Sequence, residues 1–116
     1  MAYIDGMVTA VPKANKQAYV AHAARAAEML KEWGATRVVE NWGDDVPRGE
    51  LNDFYGAVQA KDDEVVVFSW IEYPDKATRD AAMRKMMAPE AMQQFGEMPF
   101  DGKRMIFGGF ETLFAK

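Results

Sequence analysis

Glu64 to Tyr73 reads EVVVFSWIEY, and how this stretch is read decides the fold. Side chains along an extended strand point alternately to opposite faces. Val65, Val67, Ser69 and Ile71 therefore share one face, and Val66, Phe68, Trp70 and Glu72 share the other. Both sets are largely apolar, whereas a strand wetted on one side alternates apolar with polar. The stretch reads as a strand that needs cover on both faces.

Upstream, Tyr3 to Val11 is a second extended segment, with Ile4, Val8 and Ala10 on one side, closed by Pro12, which has no N–H to give to a ladder. From about Ala14 to Trp33, Tyr19, Ala23, Ala26, Ala27, Leu30 and Trp33 recur at three- and four-residue steps, predicting an amphipathic helix. Asn15 is placed to cap it and Gly34 to end it. Thr36 to Gly43 (TRVVENWG) alternates again and predicts an edge strand. The acidic, turn-rich loop from Gly43 to Asp53 follows, and Phe54, Tyr55 and Val58 are available to tack its far end onto the body as helix or strand.

Downstream, Asp75 is a helix cap ahead of Ala77, Ala81, Met83, Met86 and Met87, with Asp80 and Arg84 spaced to pair. Pro89 suits the first turn of a restarted helix through Phe95, which Gly96 ends. MIFGGFETLFA, from Met105, predicts a last strand with a glycine pair at Gly108 and Gly109.

Strand, helix, strand, then strand, helix, strand with right-handed crossovers gives an α+β, ferredoxin-like βαββαβ fold. Its antiparallel sheet has four strands and carries both helices on one face. The first and third strands are central. The sequence leaves open which face carries Trp70; with Val65, Val67 and Ile71 under the helices, Phe68 and Trp70 stand on a bare face of a kind that monomers rarely keep. A second copy of the chain is the simplest cover, so a homodimer is expected, with Phe68, Trp70 and Phe110 at its interface.

The 116 residues suit a single domain spanning 1–116. Fourteen Lys plus Arg against eighteen Asp plus Glu give a net charge of -4, which lacks the cationic footprint of a nucleic-acid binder. No apolar run approaches the ~20 residues of a membrane span, and the amino terminus has no basic segment ahead of its apolar residues, which argues against a signal peptide. The chain has no cysteine, which suits a reducing cytoplasm.

The opening AYIDG, the middle VVFSWIEY and above all MPFDGKRMIFGGFE, from Met98 to Glu111, resemble the YbaA-like bacterial proteins of unknown function. The resemblance covers nearly the whole chain, and it implies a dimeric alpha-beta barrel. It brings no activity with it. In such barrels, ligands often lie between helices and sheet.

Asp5 stands in a central strand, where a carboxylate is costly unless paired or functional. The plain reading pairs it with Lys103 or Arg104; the chemical reading makes it a general acid or base, helped by Glu40 or Glu111. His22 sits at the margin of the first helix's apolar face, either as a surface residue or as the acid-base partner of a strand carboxylate. Asp5, Glu40 and His22 are thus the catalytic candidates. Trp70, Trp42, Arg104 and Lys103 are the ligand-binding candidates, the two tryptophans being equally readable as packing anchors. Asp44 with Asp45, and Asp62 with Asp63, read as solvated turns rather than cation sites. The nine methionines read as adaptable packing. There is no phosphate-binding glycine loop, nucleophile elbow or H-E-x-x-H pattern. Neither a metal nor a cofactor is expected.

The leading expectation is a cytoplasmic homodimer with a small-molecule cleft between helices and sheet, serving as a binding module or as a cofactor-independent enzyme of the monooxygenase or isomerase kind. The rival is a non-enzymatic interaction or structural protein whose aromatic face serves assembly alone, which predicts no ligand-sized pocket between helices and sheet. A haem or oxygen enzyme would rest on fold analogy and one histidine.

Overall fold

The computed structural model describes residues 1–116. Ten extended residues, Tyr3–Pro12, form β1, and a single 3-10 turn, Lys13–Asn15, leads into α1, Lys16–Glu32. β2 is Arg37–Trp42 and a short helix, α2, is Phe54–Ala57. β3 is Glu64–Tyr73, the bounds read from the sequence, and it is followed by α3, Lys76–Met86, and α4, Pro89–Phe95. A 3-10 turn at Gly102–Arg104 precedes β4, Ile106–Glu111. The sheet order is β2-β3-β1-β4, all antiparallel. This is the ferredoxin-like arrangement, with β1 and β3 in the centre.

Local chemistry sets most of the ends. Asp75 accepts from the backbone N–H of Thr78 and so caps α3, and Pro89 opens α4. Gly34 and Gly96 close their helices at φ of +112° and +61°. Asn15 holds the cap position of α1 but makes no cap bond; its side-chain amide donates instead to the Pro99 carbonyl, tying the loop before β4 to the start of α1. Asp80 pairs with Lys76 and Arg79 rather than with Arg84, because Arg79 is already held over the sheet beside it. The unassigned segment after the acidic loop proves helical, with Asp53 accepting from Gly56 as its cap.

Register fixes the two faces. On the helix side Val11, Tyr19 and Val67 form one core cluster, and Leu30, Ala35, Ile71, Tyr73 and Ala82 form another. On the opposite side the loop between β2 and β3 folds back over one end of the sheet, where Val58 is buried with Val8, Ala10 and Val66. The expectation of a wholly bare face is therefore corrected, since the loop lids part of it. The remainder stays open: Phe68 is 47% exposed, Phe110 is 58% exposed, and Trp70 is half-buried between them in register. The Phe68 ring meets Trp70 at 5.7 Å and Phe54 of α2 at 6.0 Å. The Phe110 ring lies above Gly6 and Gly108, where an added Cβ would come within 3.4 and 3.5 Å of it. The whole is a slab 37 × 36 × 20 Å in extent, two layers thick.

Candidate functional site

Polar side chains gather in three places. Under α3, Asp5 of β1 is 4% exposed and accepts hydrogen bonds from Arg79 Nε at 3.0 and 3.2 Å, with Nη2 at 2.9 Å. The guanidinium also reaches Asp80 at 3.1 Å and stacks 5.3 Å from the Tyr3 ring centroid. Gly109 gives this group room, since a Cβ there would press on the Tyr3 hydroxyl and Arg79 Nη2. Buried Tyr73 completes it. Its hydroxyl makes no hydrogen bond of good geometry, yet burial, and after that the charge of Asp5, raise its pKa well above the usual phenol range.

Under α1, the Tyr19 hydroxyl donates to Glu40 Oε1 at 2.7 Å, with the buried Thr9 and Ser69 hydroxyls beside it. Burial first, and then the Glu40 carboxylate, push the Tyr19 phenol well above its ordinary range. Trp42 flanks this group with the Lys16 ammonium 5.1 Å from its ring centroid. Phe100 closes it with an edge-on contact to Tyr19 at 5.7 Å. His22 packs against Phe95 at 5.1 Å and Phe100 at 5.7 Å, and burial lowers its pKa.

At the foot of β3, Arg104 binds Glu64 through Nη1 to Oε1 and Nη2 to Oε2, both at 2.7 Å. The same arginine holds Asp101 at 3.1 Å and donates to the Gln59 carbonyl at 2.9 Å. These hydrogen bonds draw the Glu64 carboxyl down to about 2.

The catalytic candidates are not assembled into one constellation. Asp5 and Glu40 share the helix face, but β3 lies between their strands, a separation of at least two ladder spacings, roughly 10 Å. His22 reaches Glu40 only by way of Tyr19, whose ring centroid is 6.4 Å away. The partner expected for Asp5 is corrected: Arg79 holds it, whereas Arg104 is committed to Glu64 and Asp101 and Lys103 is exposed. Glu111 makes no ion pair with either. Trp42 and Trp70 occupy opposite faces of the sheet, and the Trp70 indole N–H donates to Glu72 at 2.9 Å. No group of three acidic or histidine side chains is placed to hold a metal. No helix is long and apolar enough to cross a membrane.

Sequence reading missed Arg79, Tyr73 and the Tyr19 hydroxyl as polar partners. For Arg79 a signal was present. It lies three, four and seven residues before Ala82, Met83 and Met86, a lone cation on the apolar stripe of α3.

The family described as "Protein of unknown function (DUF1428)" matches residues 2–102. The chain belongs to this family. Its relatives include the uncharacterized protein YbaA of Escherichia coli K12, 59% identical over 114 residues and covering 97% of each chain, and YbaA of Shigella flexneri at the same identity. Among solved structures, a dimeric ferredoxin-like protein from an uncultured marine organism is 12% identical with a TM-score of 0.54, covering 94% of this chain and 91% of that one. Rv0793 from Mycobacterium tuberculosis is 13% identical with a TM-score of 0.53, covering 99% and 98%. At such identities these structures speak for the fold alone, and they agree with the ferredoxin-like arrangement of this chain.

Proposed function

We propose that the protein works as a homodimer, in which the open part of one sheet packs on the same surface of a second copy. It is an interaction module before it is a site of chemistry. The observation that carries this reading is the aromatic cluster of Phe54, Phe68 and Trp70, with Phe110 exposed two strands away, on the face of the sheet opposite α1 and α3. Phe68 and Phe110 are 47% and 58% exposed, so covering what remains contributes very roughly 1.5 to 3 kcal/mol per chain before association costs. The marine protein similar in fold is described as dimeric, which supports the reading. The cytoplasm is the compartment proposed, in keeping with a chain without cysteine. Sedimentation at micromolar concentration is expected to give twice the 13.0 kDa chain mass. Phe68→Asp is expected to give the single-chain mass with an unchanged far-UV spectrum. A wild type that sediments as a single chain throughout that range overturns the proposal.

A second reading is favoured by the hydroxyls of Thr9, Tyr19 and Ser69 converging near Glu40. A small polar molecule entering between α1 and the sheet would find donors and an acceptor already placed. Phe100 closes this group with its ring 5.7 Å from that of Tyr19, so a molecule reaching the hydroxyls from that side displaces it. A thermal-shift screen comparing wild type with Tyr19→Phe tests it: ligands that stabilise both equally remove Tyr19 from the site.

A further inference from the structure

The loop between β2 and β3 does more than lid the sheet. With the end of β1 and the start of β3 it encloses a cleft of about 360 Å³, within the size range of small-molecule sites. Three cations line it: Lys13, Arg48 and Lys61. None of the three makes an ion pair. The third carboxylate of the lining, Glu64, is already neutralised by Arg104, which leaves only Asp44 and Asp62 against the three positive charges.

The walls are preformed. Lys13 N–H donates to the Asp63 carbonyl and Gly43 N–H to that of Val66, both at 2.9 Å. The Tyr55 hydroxyl donates to the Val46 carbonyl at 2.9 Å, and the Arg48 guanidinium lies over the Tyr55 ring at 4.0 Å. Stacking in this way holds an arginine's planar fork in place while leaving its in-plane N–H donors free, the arrangement suited to a carboxylate or phosphate oxygen pair.

We propose that this cleft binds a small organic anion, a carboxylate or a phosphate monoester, whose body carries hydroxyl groups. The anionic end meets Arg48, Lys13 and Lys61, and the hydroxyls donate to Asp44 and Asp62. The cleft lies on the same side of the sheet as the proposed dimer surface, but its lining includes none of Phe54, Phe68, Trp70 and Phe110 and nothing of the Tyr19 group, so its test does not depend on those readings.

The test is an NMR titration of the full chain with glucose 6-phosphate, gluconate and glucose. At least one of the two anions is expected to saturate below about 10 mM, with shifts confined to residues 13, 43–48, 55 and 61–66, and glucose is expected to give none. Arg48→Gln and Lys61→Gln should each weaken that binding about ten-fold or more while the remaining spectrum stays dispersed. Lys85→Gln, an exposed cation on α3, should leave it unchanged. Failure of both anions to saturate, shifts spread over the surface, or an equal loss in Lys85→Gln overturns the proposal.

Discussion

Arg79 of α3 grips Asp5 of β1 through two of its nitrogens, Nε at 3.0 and 3.2 Å and Nη2 at 2.9 Å, and so ties the helix layer to the centre of the sheet. Removing one member of a buried pair leaves the other charged and without a partner, which costs about 3 to 5 kcal/mol. Arg79→Leu is expected to lose that much in urea denaturation. Asp5→Asn combined with Arg79→Leu should lose less than Arg79→Leu alone, because no bare charge remains. A double variant as unstable as Arg79→Leu would show that packing, not the ion pair, is what the arginine supplies.

Tyr19→Phe removes one buried donor and leaves the Glu40 carboxylate to water at its exposed side. The expected loss is about 1 to 2 kcal/mol. Thermal unfolding of the two proteins side by side measures it, and no change in midpoint would place the phenol outside the stabilising contacts.

Acid should loosen the β2–β3 loop in a defined window. The Glu64 carboxyl falls from 4.5 to about 2 on folding. The unfolded chain therefore takes up its proton first, and the stability that Glu64 contributes is complete above about 4.5 and lost as pH falls toward 2. Arg104→Gln should raise the Glu64 pKa and flatten that part of the stability profile. Amide exchange at residues 54–60 reports it directly, through the Arg104 bond to Gln59.

A milder pH dependence is expected at α4. His22 is held neutral by burial against Phe95 and Phe100, with its pKa lowered from 6.5, so protonation favours the undocked state. Stability should decline as pH drops below about 6.5, where the free imidazole starts to charge. Arg25, which donates to Gln94 at 2.7 Å, adds a like charge to the same surface. His22→Phe should abolish the decline, as followed by exchange of the amides of residues 89–100.

The fold was legible because period-two and three-to-four patterns are local, and because EVVVFSWIEY excludes a one-sided sheet. Phe68 and Trp70 share a face by parity within β3, whereas Phe110 joins them only through the register of β4 on β1. Side-chain partners were not legible in the same way. Asp5 in a central strand needs a cation, but Lys103 and Arg104 belong to the loop ahead of the last strand, and nothing in the sequence places them over it. Which cation faces it depends on how α3 is rotated over the sheet, and a turn of one residue moves a helical side chain by about 100°. The cleft at Lys13, Arg48 and Lys61 was invisible for a related reason. It joins three segments whose approach is set by the path of a long loop, and loop paths carry no periodicity.

The place of β1 has a consequence for how the chain reaches this form. β1 precedes both of its neighbours in the chain and sits between β3 and β4, so Tyr3 waits for Tyr73 and Glu111 before either flank is paired. Contacts between such distant parts of a chain make for slow folding. Until β3 has been made the nascent chain therefore carries an apolar ribbon with both edges unsatisfied, and the six-residue β4 is what shuts it.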